Sequence, residues 1–153
     1  MTTSSFRIAA ARFADTTTTG VGAELFGGRW NSRGTAMIYT AATTSLAALE
    51  MLVHLDEDGI KSDYVTVEFR FAASLVEVVP PNRLPKRWWA RTGPIECHAF
   101  GDRWVREGRS AVLRVPSAII RDEFNFLLNP AHPDFHRIHV GNPRSFRFDR
   151  RLK

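Results

Sequence analysis

Glu50 is the residue with the clearest chemical potential. It lies in TTSLAALEMLVHLDEDG (43–59), whose apolar residues Leu46, Leu49 and Val53 recur at helical spacing. On a helical wheel Glu50 falls about 40° from Leu46, so it borders the buried stripe. A carboxylate held there is costly unless it is paired or used. His54, four residues on, shares its side of the helix and could orient it. Two further groups point to the same kind of site. Arg29 follows a glycine pair in GGRWNSRGTAMIYT (27–40), where flexible backbone can approach a ligand and a guanidinium fork suits phosphate. Tyr39 ends the apolar run that follows, where a ring can stack on a base while its hydroxyl still finds a partner. Packing roles are open for all three: a surface arginine, a core tyrosine, a glutamate bound to a neighbouring arginine.

Other candidates are weaker. Ser117 closes the strand-like SAVLRVP (110–116), but no GxSxG elbow surrounds it. His132, His136 and His139 share helical spacing, yet Pro133 and the NPAHP context resist a helix and no HExxH glutamate is present, so no metal is expected. KRWWAR (86–91) mixes cations and aromatic rings, a combination that can stack single-stranded nucleic acid or simply pack at the surface.

The elements that must position these residues read as α+β. Strands are expected at 6–13, 35–40, 64–71, 75–79, 110–116, 124–128 and 145–149, with a Thr- and Gly-rich loop over 16–28. The helix at 43–59 takes its cap from Thr43 to Ser45 and its stop from Gly59, and a second helix is expected around Trp104. YVTVEFRF alternates Val65, Val67, Phe69 and Phe71 against Tyr64, Thr66, Glu68 and Arg70, as a half-buried strand does.

The 153 residues suit one domain, 1–153, with no repeat or linker. No apolar run approaches the ~18 residues of a membrane span, and MTTSSFRIAAARF lacks the order of a secretory signal. A single cysteine, Cys97, excludes an internal disulfide and suits a reducing cytoplasm. Twenty-one Lys and Arg against 16 Asp and Glu leave a net charge of +5. The arginines are scattered, so charge alone fits nucleic acid, an acidic protein or a phosphorylated ligand equally.

FRIA, GGRWNSRGT, the Tyr39 strand end, SLAALEMLVHL, LRVPS, EFNFLLNPAHPDF and the closing FRFDRRL, in this order, resemble the RES domain family of bacterial toxins. The resemblance runs nearly end to end. It implies a fold similar to ADP-ribosyltransferase toxins and a type II toxin that depletes NAD by cleaving the nicotinamide–ribose bond. It places the family arginine on Arg29, the tyrosine on Tyr39 and the glutamate on Glu50 as catalytic residues. Ser117, with Ser110 as the alternative, and Asn31 join Arg29 and Tyr39 as substrate-binding positions; Asn125 and His132 match positions without an assigned role. NAD is then substrate rather than cofactor, and inorganic phosphate a possible acceptor. The implied partner is an Xre-type helix-turn-helix antitoxin that covers the pocket and makes any DNA contact, with the toxin in the cytoplasm and its short N-terminus carrying no extra partner-binding segment. Two alternatives stand beside this: a protein ADP-ribosyltransferase on the same fold, and a basic RNA-acting toxin.

Overall fold

The computed structural model describes residues 1–153. Eight strands form one sheet: β1 (Thr2–Ala10), β2 (Ile38–Ala41), β3 (Tyr64–Ala72), β4 (Val76–Val78), β5 (Val112–Pro116), β6 (Phe124–Leu128), β7 (His139–Val140) and β8 (Arg144–Phe146). Three α-helices accompany it: α1 (Val21–Phe26), α2 (Thr44–Leu52) and α3 (Ile95–Glu107). The strand order is β4-β5-β6-β2-β1-β3-β7, with β8 also on β3. All pairings are antiparallel except β4–β5, which α3 connects as the crossover a parallel pair requires. The α+β expectation holds.

Alternating residues of β5 and β6 serve two cores. Val112, Phe126 and Leu128 pack with Val67, Phe69 and Phe71 of β3. Leu113, Val115 and Leu127 face the other way, against Trp104 and Cys97 of α3 and against Trp30 and Met37. A third cluster lies under α2, where Leu46, Ala47 and Leu52 meet Ile8, Tyr64 and Phe148.

Several expectations shift. β1 begins and ends earlier than expected, and the loop over 16–28 contains α1. Tyr64 and Thr66 are buried along with the opposite face of β3, Tyr64 because α2 and Phe148 of the C-terminal segment cover it. Thr43 caps α2 as expected, its Oγ1 accepting from Leu46 N at 3.0 Å. The helix stops at Leu52, though, and Gly59 opens a later 3-10 turn. Leu49 and Val53 are exposed; the buried stripe runs through Leu46 and Ala47, which turns Glu50 inward.

Candidate active site

The sheet has a seam. β1 is registered to β3 along its whole length, from Thr2 opposite Ala72 to Ala10 opposite Tyr64, and β2 to β6 throughout. Between β1 and β2 only Phe6 and Ala41 pair. The two strands therefore splay, and a cleft of about 880 Å³ opens beside them. Arg7, Arg29, Tyr39, Glu50 and Asn125 all line it. The sequence-expected trio of guanidinium, phenol and carboxylate is brought to one cavity.

Glu50 comes from the cleft face of α2, and its carboxylate is gripped from behind. Ser117 Oγ and Asn125 Nδ2 each donate to Oε1 at 2.7 Å. Ser117 ends β5, and its oxygen already accepts from the N–H groups of Ile119 and Ile120, both at 3.1 Å. Its one proton must therefore go to the carboxylate. Asn125 can only present its NH₂ to Glu50, since its carbonyl would repel an anion. Both donors converge on Oε1, and Oε2 is left without a protein partner. His54 stands one turn further along the cleft wall.

Tyr39 is held as firmly. Its hydroxyl donates to Asn31 Oδ1 at 2.6 Å and accepts from Trp30 N at 3.0 Å. Burial pushes this phenol well above its ordinary pKa, so it stays protonated. Its ring, not its hydroxyl, is what remains for a ligand. Gly28 makes the arrangement possible, because a Cβ there would lie 2.6 Å from Tyr39 Oη.

The expectation that Asn31 and Ser117 touch substrate is revised. Both side chains are fully buried and neither lines the cleft. Asn31 Nδ2 is engaged by the carbonyls of Ala23, Ser32 and Thr35, so it ties the glycine turn to α1. Ser117 stands behind Glu50. Ser110 lies elsewhere, accepting from Trp104 Nε1 at 2.8 Å. His132 is a tie as well: its Nδ1 accepts from Asp134 N, which leaves Nε2 to donate to Gly108 O, each at 3.0 Å.

Arg29 lines the cleft, with part of its guanidinium used by the chain itself. Its Nη1 donates to the carbonyl oxygens of Trp88 (2.7 Å) and Ala90 (2.8 Å), so that nitrogen is committed to the chain. A second arginine of the cleft is Arg7, at the centre of β1. Its Nη1 reaches across the seam to Tyr39 O at 3.2 Å, its Nε is buried without a partner, and it takes part in no ion pair. Burial lowers its pKa, the mark of a charge short of solvation. An arginine inside a strand between Phe6 and Ile8 was the sequence signal for it.

The RES domain model matches residues 5–149. The chain belongs to the RES domain family. Among its relatives, the Prs ADP-ribosylating toxin of Sphingobium sp. (strain YBL2) is 38% identical over 157 residues, covering 99% of this chain and 98% of that protein. Toxin Res of Yersinia enterocolitica serotype O:8 / biotype 1B is 38% identical, with 97% and 98% covered. In the crystal structure of the M. tuberculosis MbcT–MbcA toxin–antitoxin complex, one chain aligns over 99% of this RES domain and 87% of its own length, with a TM-score of 0.75 and 18% identity. That likeness is one of fold. No helix of the RES domain is long and apolar enough to cross a membrane.

Proposed function

We propose that this RES domain is the toxin of a toxin–antitoxin pair and that it consumes NAD by cleaving the bond between nicotinamide and ribose. The observation that carries the reading is Glu50: a carboxyl group with one oxygen fastened by Ser117 and Asn125 and the other free in the cleft. The size of the cleft falls within the ~300–1,000 Å³ usual for small-molecule sites.

The chemistry asks little of a general acid. The C–N bond breaks heterolytically, its electron pair returns to the ring nitrogen, and the pyridinium departs as neutral nicotinamide. Positive charge then develops on the ribose, as in glycoside cleavage. Glu50 Oε2 is suited to accept from a ribose hydroxyl and to stabilise that charge. Arg7, a buried cation without a counter-ion, suits the pyrophosphate, and the Tyr39 ring forms a wall. The oxocarbenium carbon is captured by water, by phosphate or by a protein side chain; water releases a proton to solvent. The name of the Sphingobium relative favours the protein acceptor as the second reading.

The partner in this reading is a helix-turn-helix antitoxin that covers the cleft and contacts DNA, with both proteins in the cytoplasm. Leu25, Phe26 and Val53 stand 58%, 76% and 57% exposed, and Val53 is on the cleft lining, which gives such a partner an apolar rim. The test is to incubate the purified protein with NAD, with and without phosphate, and to identify products by mass. Release of free nicotinamide is expected; intact NAD in both samples overturns the proposal. Retention on RNA that weakens steeply with salt, without NAD loss, would favour the RNA-acting alternative.

A further inference from the structure

Trp89, residues 91–93 and His98 form one wall of the cleft. Its central side chain is Trp89. The wall is fastened on both sides of this residue: Arg29 Nη1 donates to the carbonyls immediately before and after it, those of Trp88 and Ala90. Gly93 closes around the same arginine, where a Cβ would lie 3.3 Å from Arg29 Cγ. Trp88 turns inward and stacks on the buried Trp30, centroids 6.4 Å apart. Arg87, just upstream, adopts φ 58°, a left-handed conformation unfavourable for a side chain of its size, and it is here that the chain turns the pair.

Trp89 is thus left 40% exposed on the cleft while its backbone is fixed by a charged group. A large indole at the surface gives no core packing, and this one is instead presented to the cavity. Arg121, from the turn that follows Ser117, lies over its ring at 4.7 Å. An indole with a guanidinium on its face is the pairing that holds nucleobases in sequence-tolerant sites.

We infer that Trp89 is the stacking platform for the adenine of the dinucleotide, and that Arg29 is the positioning residue that holds it there. The assignment rests on the NAD reading above. Glu50 lies inside the cleft against the buried Ser117, so the scissile ribose and its nicotinamide occupy the interior. An exposed aromatic at the margin therefore meets the far end of the ligand.

The experiment compares wild type, Trp89→Ala, Trp89→Phe and Arg29→Ala on two substrates, NAD and nicotinamide mononucleotide, which lacks the adenine. Loss of one base–aromatic stack is expected to raise KM for NAD about tenfold in Trp89→Ala, with kcat changing far less. Phe restores most of it, and KM for the mononucleotide stays unchanged. Arg29→Ala reproduces the rise in KM for NAD. An equal rise for both substrates would overturn the adenine assignment, and an unchanged KM for NAD would overturn stacking altogether. A separate titration of AMP, read by tryptophan fluorescence, makes the outcome independent of turnover. Quenching in wild type that disappears in Trp89→Phe supports the platform even if NAD is left intact; equal quenching in both refutes it.

Discussion

Ser117 Oγ lies 2.7 Å from Glu50 Oε1, and the serine has no other acceptor to serve, because Ile119 N and Ile120 N already donate to its oxygen. The hydroxyl is consequently a fixed donor rather than a rotor. Asn125 supplies the second donor to the same oxygen. Hydrogen bonds to a charged group contribute about 1.5–3 kcal/mol, so Ser117→Ala or Asn125→Ala should each lower kcat roughly 10- to 100-fold. Because both act through one carboxylate, the double variant should lose much less than the product of the two losses. Steady-state nicotinamide release provides the measurement. Strict additivity would mean that the two side chains do not share Glu50 as their target.

Arg29 makes a separable prediction about motion. With its two carbonyl contacts removed in Arg29→Ala, the wall from Trp88 to Gly93 keeps only the Trp88–Trp30 stack as its main tie to the glycine turn. Backbone amides between 88 and 93 should exchange with deuterium at least about tenfold faster, the equivalent of one lost hydrogen bond of ~1.4 kcal/mol. Amides of β5 and β6 should be unaffected. Unchanged exchange in the wall would show that the contacts do not hold it.

Two glycines test how closely the site is built against its supports. A Cβ at Gly28 would lie 2.6 Å from Tyr39 Oη and 3.0 Å from Asn31 Oδ1; one at Gly101 would lie 1.7 Å from Trp30 O. Gly101→Ala has no flexible atom to displace and must push α3 off the Trp30 backbone, so a loss of at least about 3 kcal/mol is expected. Gly28→Ala moves a phenol instead and should cost about 1–3 kcal/mol, visible as a melting point lowered by several degrees. If Gly101→Ala melts with wild type, α3 does not pack against the Trp30 backbone at Gly101.

Much of this was legible in the residues, for reasons that also explain what was not. Glu50 announced itself because helical phase can be counted along one element, and the sheet alternation of β3 likewise. The phase was nevertheless set by the wrong neighbours: Leu49 and Val53 read as core but are exposed, since nothing packs on that side of α2. α1 stayed hidden because its six residues, VGAELF, carry a glycine and too few turns for any period to show. The roles of Ser117 and Asn31 were misread for a different reason. A polar side chain in a motif can touch the ligand or hold the residue that does, and only the third dimension separates these. Trp89 is the clearest case: KRWWAR gave composition without direction, and its direction comes from Arg29, some 60 positions earlier in the chain.

Arg7 brings stability and function into opposition. Its guanidinium is largely buried at the seam, it finds one carbonyl, and its Nε has no partner. An unsatisfied buried donor costs about 1–3 kcal/mol, and a cation without a counter-ion adds to that. Replacement by methionine matches the arginine side chain as far as Nε and removes both penalties. Arg7→Met should therefore raise the melting point by about 2–4 °C, the equivalent of ~1 kcal/mol for a domain of this size after the lost Tyr39 contact is discounted. It should also weaken binding of ADP-ribose about 30-fold, because the pyrophosphate loses a charge-assisted contact of ~2 kcal/mol. Calorimetry of the two proteins with the same ligand reads both effects. A variant that melts lower and binds as tightly would make Arg7 a structural tie between β1 and β2, and the cation for the pyrophosphate would have to be sought elsewhere in the cleft.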